Sequence, residues 1–167
     1  MEDEAVRVEV VGAKESGLTA EEIAKIQRKL IKGVAIRQQD GSHTYNSALE
    51  LELCRFGVGE KKFTEYIYTV KKEHINGIGA IHGGVVTGVV DTAAAIAAFA
   101  FRGAWLTSTD LSVSFLKSTG GTKYLIHTDL THIGGRIVNT LSAFSDLESG
   151  DVCATVISTY IVLGGGK

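Results

Sequence analysis

Asn76-Gly77-Ile78-Gly79-Ala80-Ile81-His82-Gly83-Gly84, followed directly by the run Val85 to Phe101, decides how this chain is read. The run is apolar or small almost throughout, and Asp91 is its single ionisable side chain before Arg102 ends it. A carboxylate inside a buried segment is costly unless it has partners or a task. At about 100° per residue, Gly84, Thr87, Gly88, Asp91, Ala94, Ala95 and Ala98 share one small, lightly polar face. Val85, Val86, Val89, Ala93 and Ile96 gather opposite, bulky enough to lie on a sheet. The run therefore predicts a helix buried on nearly every side, its Asp-bearing strip meeting a close neighbour or a cleft. A transmembrane helix is the competing reading, because a bilayer needs roughly 20 residues. The midspan Asp is penalised in lipid, and the segments that follow alternate like soluble β-structure, so no membrane span is expected.

A chain of 167 residues suits one domain with a single full core. Its formal net charge is -2 and no block of Lys and Arg reaches five, which argues against a nucleic-acid partner. The start, Met1-Glu2-Asp3-Glu4, is acidic and no apolar signal segment follows. A cytoplasmic location is the expectation, with a mitochondrial one left open. Cys54 and Cys153 lack metal-ligand spacing and read as buried free thiols. With 20 Gly and no Pro, turns fall to Gly, Asn, Asp and Ser.

Residues 1–17 read as an N-terminal arm, although Val6, Val8 and Val10 alternate; the main domain is expected over 18–167. Thr19-Ala20-Glu21-Glu22 has capping-box spacing, and Ile23, Ile26, Leu30 and Ile31 follow on one face, predicting a surface helix over 19–32 stopped by Gly33. A polar loop from Gln38 to Asn46 leads into the alternation Leu49 to Leu53, a half-buried strand. Gly57 to Glu60 turns the chain into a second strand, Phe63 to Val70. Beyond the helix, Thr107 to Leu116 sets Leu111, Val113 and Phe115 on one face against Ser108, Asp110, Ser112 and Ser114 on the other. Strands Tyr124 to Ile133 and Ile137 to Phe144 flank Gly134-Gly135 as a two-residue hairpin turn, and Val152 to Leu163 follows Ser149-Gly150. A mostly antiparallel sheet of about six strands must wrap so apolar a helix, an α+β architecture of the hotdog type.

Asn76, then His82-Gly83-Gly84, then Asp91, then Ser108-Thr109-Asp110 at the start of the next strand resembles the acyl-CoA thioesterases of the PaaI and thioesterase superfamily member 2 type, over about residues 45–163. The resemblance implies that Asn76 and the Gly83 backbone bind the thioester oxygen, that Asp91 and Ser108 position and activate water, and that His82 lines the site. It also places Gly84 and Asp110 at the substrate, and Lys117 with Gly134-Gly135-Arg136 in the regions that contact CoA. The loop Lys117 to Lys123 departs from the family in lacking its usual proline. Acyl-CoA is the implied substrate, with no metal or organic cofactor, in a homo-oligomer whose dimer forms the site and pairs into a dimer of dimers. An enoyl-CoA hydratase or dehydratase, or a non-catalytic acyl-CoA-binding module, are the alternatives. The helix offers Asp91 but no internal His, which disfavours the hydratases.

Thioester hydrolysis needs stabilisation of an oxyanion and an activated water or nucleophile. A helix starting at Gly83-Gly84 presents unpaired N–H groups at its positive end, with no Cβ to block a carbonyl. Asp91 lies eight residues on, about 12 Å along the axis. One protomer cannot easily bring both to one thioester, whereas antiparallel neighbouring helices in a twofold dimer can.

Overall fold

The computed structural model describes residues 8–163, so Val6 and the rest of 1–7 lie outside it. Seven strands form one sheet in the order β1-β2-β3-β5-β6-β7-β4: β1 Glu9–Val11, β2 Glu52–Val58, β3 Lys62–Thr69, β4 Leu106–Phe115, β5 Lys123–Ile133, β6 Ile137–Asp146 and β7 Val152–Val162. All pairings are antiparallel except β1 with β2. Helices are α1 Ala20–Val34, the single turn α2 Tyr45–Ala48, and α3 Gly83–Arg102.

The helix α3 is long and apolar enough to cross a bilayer, yet it is the core helix of this fold. The sheet curves around it, and strands β3 to β7 all touch it. Val86, Val89, Val90 and Ala93 are buried in one core cluster with Tyr66, Tyr68, Tyr124 and Phe144. His82 caps the helix start and Gly103, in the left-handed conformation at φ 76°, ends it.

Four expectations are corrected. Gly33 does not stop α1, which runs to Val34. It is instead the contact point with α3, where a Cβ would lie 2.6 Å from Ile96 Cγ2. Gly33→Val should therefore cost about 1–3 kcal/mol of overpacking, visible as a Tm lowered by several degrees in thermal unfolding. The alternation Leu49 to Leu53 is not one strand: Leu49, Leu51 and Leu53 are buried, but Leu49 caps α2, Glu50 has φ 52°, and β2 starts at Glu52. It then continues to Val58, into the residues expected to turn.

The third correction is a β-bulge in β4. Ser108 pairs with Tyr160 and Asp110 with Thr159, so Thr109 is the extra residue. One inserted residue moves all later side chains to the other face. Ser108 thus shares the inner face with Leu111, Val113 and Phe115, while Asp110, Ser112 and Ser114 face outward. Fourth, Gly134 N–H bonds Ile137 O at 2.8 Å, so the two residues at the hairpin tip are Gly135-Arg136 rather than Gly134-Gly135. Within the segment read as an arm, Glu9–Val11 joins the sheet beside β2. Cys54 and Cys153 are free thiols, half-buried and buried.

Candidate active site

Asp91 is half-buried on α3 where the helix faces β4 and β7. Its Oδ1 accepts two hydrogen bonds, from Ser108 Oγ at 2.9 Å and from the Tyr160 hydroxyl at 3.1 Å. Its Oδ2 accepts none among the described residues. One carboxylate oxygen is thus anchored by two donors and the other is unengaged among the described residues. Tyr160 is fully buried, and burial followed by the nearby Asp91 charge pushes its phenol far above the usual range. It therefore stays protonated and remains a donor. The neighbouring hydroxyl of Thr87 bonds the Gly83 carbonyl at 2.9 Å instead and leaves Asp91 alone.

At the start of α3, most of the first N–H groups are taken. Gly84 N–H donates to His82 Nδ1 at 3.0 Å, and Val85 and Val86 both donate to His82 O, at 2.8 and 3.1 Å. Gly83 N–H has no acceptor among the described residues, so of the two glycines it is Gly83 and not Gly84 whose N–H is free for an outside acceptor. Because Nδ1 of His82 accepts, its ring proton sits on Nε2. His82 is exposed and shapes the helix end. A Cβ on Gly83 would come 3.1 Å from Phe115 Cζ, so the inward-facing end of β4 covers this turn.

Asn76 opens the loop before the helix. Its Oδ1 accepts from Ile78 and Ala80 N–H at 3.0 and 3.1 Å, and its backbone N–H bonds Ala80 O at 2.8 Å. The side-chain carbonyl folds the loop, and Nδ2 stays available as a donor. Just upstream, the Tyr68 hydroxyl bonds His74 Nδ1, and His82 N–H bonds His74 O at 2.8 Å. These ties fix the loop to β3.

The remaining sequence-predicted residues are dispersed. Asp110 is exposed beyond the bulge, on the opposite face from Ser108. Lys117 is ion-paired to Asp151 near the Gly83 end of α3. Gly135 is bound at the other end, where its carbonyl accepts from Arg102 Nη2 at 2.9 Å, and Arg136 follows it in the turn. A 20-residue helix is about 30 Å long, so one protomer does not gather these groups. Among the described residues, no group of three or more His, Cys, Asp or Glu comes together to hold a metal.

Two residues at the site escaped the sequence reading. Tyr160 sits in the alternation of β7, where nothing separates it from a core tyrosine. Tyr45 lies over the helix, and a Cβ on Gly88 would meet its hydroxyl oxygen at 2.2 Å. Burial first, and then the Asp91 charge, raise the Tyr45 phenol above its usual range. The available signal was Thr44-Tyr45-Asn46-Ser47, whose capping-box spacing marks a helix start inside the apparent loop.

A sequence model described as the thioesterase superfamily matches residues 78–153. That segment is similar to the thioesterase superfamily over its whole matched length. It holds Gly83, Asp91, Ser108, Lys117 and the hairpin tip, while Asn76 lies just ahead of it. Solved structures match over more of the chain. A candidate thioesterase related to phenylacetic acid degradation, from Ralstonia eutropha, is 20% identical with TM-score 0.68, covering 83% of this chain and 99% of its own. A thioesterase from Haemophilus influenzae is 19% identical with TM-score 0.65, covering 77% and 92%. A Streptococcus mutans protein solved with acetyl-CoA is 20% identical with TM-score 0.62, covering 70% and 91%. Together with the wrapped α3, these structural likenesses establish the hotdog fold. No curated protein matches the sequence.

Proposed function

We propose that this protein hydrolyses acyl-CoA thioesters to free acid and CoA, at sites shared between two copies. The observation that carries the reading is the asymmetric carboxylate: Asp91 Oδ1 held by Ser108 and Tyr160, Oδ2 unengaged among the described residues. Water bound at Oδ2 attacks the thioester carbon and gives its proton to Asp91. The carbonyl oxygen, now negative, is stabilised by Gly83 N–H and Asn76 Nδ2 of a second copy. Collapse of the intermediate breaks the C–S bond, and the proton on Asp91 passes to the departing thiolate. The separation of Gly83 and Asp91 along α3 supports the shared site, since antiparallel helices bring one copy's helix start to the other's midpoint. The same arrangement draws the Lys117 end of one copy toward the Gly135-Arg136 end of its neighbour. The acetyl-CoA bound by the Streptococcus mutans protein supports a CoA thioester as the ligand class.

The direct test is release of CoA thiol across a panel of acyl-CoAs, followed with a thiol reagent. Turnover supports the reading; a panel bound without thiol release would leave a binding module, and hydration of enoyl-CoA without free thiol would leave a hydratase. Tyr160→Phe keeps the packing and removes one donor to a charged acceptor, a bond worth about 1.5–3 kcal/mol. It should lower kcat by about tenfold with KM little changed, and should have no further effect when Asp91 is already Asn.

A further inference from the structure

The catalytic groups leave the acyl chain itself unplaced. On α3, Ala95 follows Asp91 by four residues and Phe99 by eight, the spacing that keeps side chains on one face. Ala95 and Phe99 floor a cavity of about 470 Å³ between α1 and the start of β4, walled by Ile36 on one side and Trp105 and Leu106 on the other. Its size falls within the roughly 300–1,000 Å³ typical of small-molecule sites. Gly33, whose missing side chain lets α1 approach Ile96, lines it as well.

The far end is closed by aromatic rings. Trp105 leans on Phe99 with centroids 4.9 Å apart and stays 67% exposed, a large apolar surface with nothing over it in a single copy. Lys29 and Lys32 also line the cavity, and Lys29 Nζ lies 5.5 Å from the Phe99 centroid. Asn46 also lines the cavity, and its neighbour Tyr45 rests on Gly88, so α2 bridges the Asp91 site and this space. The cavity thus lies along the helix face that carries Asp91, beginning four residues on at Ala95, and its lining is mostly apolar.

We propose that this cavity receives the acyl chain and makes the protein selective for unbranched apolar acyl groups of about eight to ten carbons; the inference rests on the hydrolase reading above. Eight helical residues span about 12 Å. An extended hydrocarbon advances about 1.3 Å per carbon, from single bonds of about 1.5 Å at tetrahedral angles. A carbonyl at Asp91 therefore puts the ninth or tenth carbon against Phe99 and Trp105. Each buried methylene adds about fourfold to kcat/KM until the rings are reached, and longer chains gain nothing more.

Acetyl-, octanoyl- and palmitoyl-CoA should be compared on the wild type, on Ala95→Phe, which fills the cavity next to Asp91, and on Trp105→Ala, which opens its end. Ala95→Phe should lower the octanoyl-to-acetyl ratio of kcat/KM by about 10²-fold, and Trp105→Ala should move the optimum toward palmitoyl. Ratios that stay put in both variants overturn the proposal, as does an Ala95→Phe change confined to oligomeric state, which would assign the cavity to a second copy. A readout independent of turnover comes from Trp105, the only tryptophan in the chain. In Asp91→Asn, octanoyl-CoA should shift its fluorescence to the blue in a saturable way and acetyl-CoA should not. That shift without any wild-type thiol release would sink the hydrolase reading and keep the acyl pocket. Thiol release with no shift and unmoved ratios would do the reverse.

Discussion

Asp91→Asn should lower thioester turnover by about 10²- to 10⁴-fold, the range lost with a general base, while leaving the fold and the assembly intact. The substitution is close to isosteric. An amide oxygen at Oδ1 still accepts from Ser108 and Tyr160, bonds of 2.9 and 3.1 Å in the wild type. What changes is the second atom, which turns from an acceptor able to take a proton from water into an NH₂ group that cannot. If Asp91 were only a buried polar group satisfied by its neighbours, Asn would serve equally well and turnover would survive. Thiol-release kinetics beside size-exclusion chromatography and thermal unfolding separate the two. A variant that keeps more than a tenth of wild-type kcat removes Asp91 from the chemistry.

The parts of this architecture that depend on local pattern were legible before any coordinates. An apolar run with one acid, opened by His82-Gly83-Gly84 and ended by Arg102, reads as an enclosed helix once its midspan Asp91 is weighed against a bilayer span, and α3 begins at Gly83 as that pattern implies. The capping box at Thr19 and Glu22 is present atom for atom. Features set by pairing across the sheet were not legible. Tyr160 reaches Asp91 only because β7 lies beside β4, a neighbour distant in sequence, in the register that opposes Ser108 to Tyr160. The bulge at Thr109 is likewise invisible in an alternation of Ser, Thr and Asp, yet it alone decides that Ser108 and Asp110 face opposite ways. At Leu49 to Leu53 the period-two burial is real, but a helix cap and a left-handed Glu50 produce it, so alternation reported the face and not the strand. Gly33 shows the same limit, since a glycine near a helix end reads as a stop until a partner helix is seen against it.

Gly83→Pro should lower turnover by about 10²- to 10³-fold, the usual loss of one oxyanion donor, and mixing it with Asp91→Asn should bring activity back. Proline is tolerated at the first position of a helix, where its missing N–H has no intrahelical partner to lose. His82, at φ -61° and ψ 132°, already has the extended backbone that a following proline demands. The ring must displace the Phe115 tip, which lies 3.1 Å from a Cβ here but is 56% exposed and free to give. The variant thus deletes the one first-turn donor with no acceptor among the described residues, and little else. Co-expressed with Asp91→Asn, half of randomly assorted dimers contain one copy of each. In those, one of the two sites combines an intact Asp91 from one copy with an intact Gly83 from the other. Activity should recover to roughly a quarter of wild type, although each parent is nearly dead. A site built within one protomer predicts no recovery at any mixing ratio, because each chain carries its own defect. Differentially tagged copies, purified in tandem and assayed for thiol release, decide between the two.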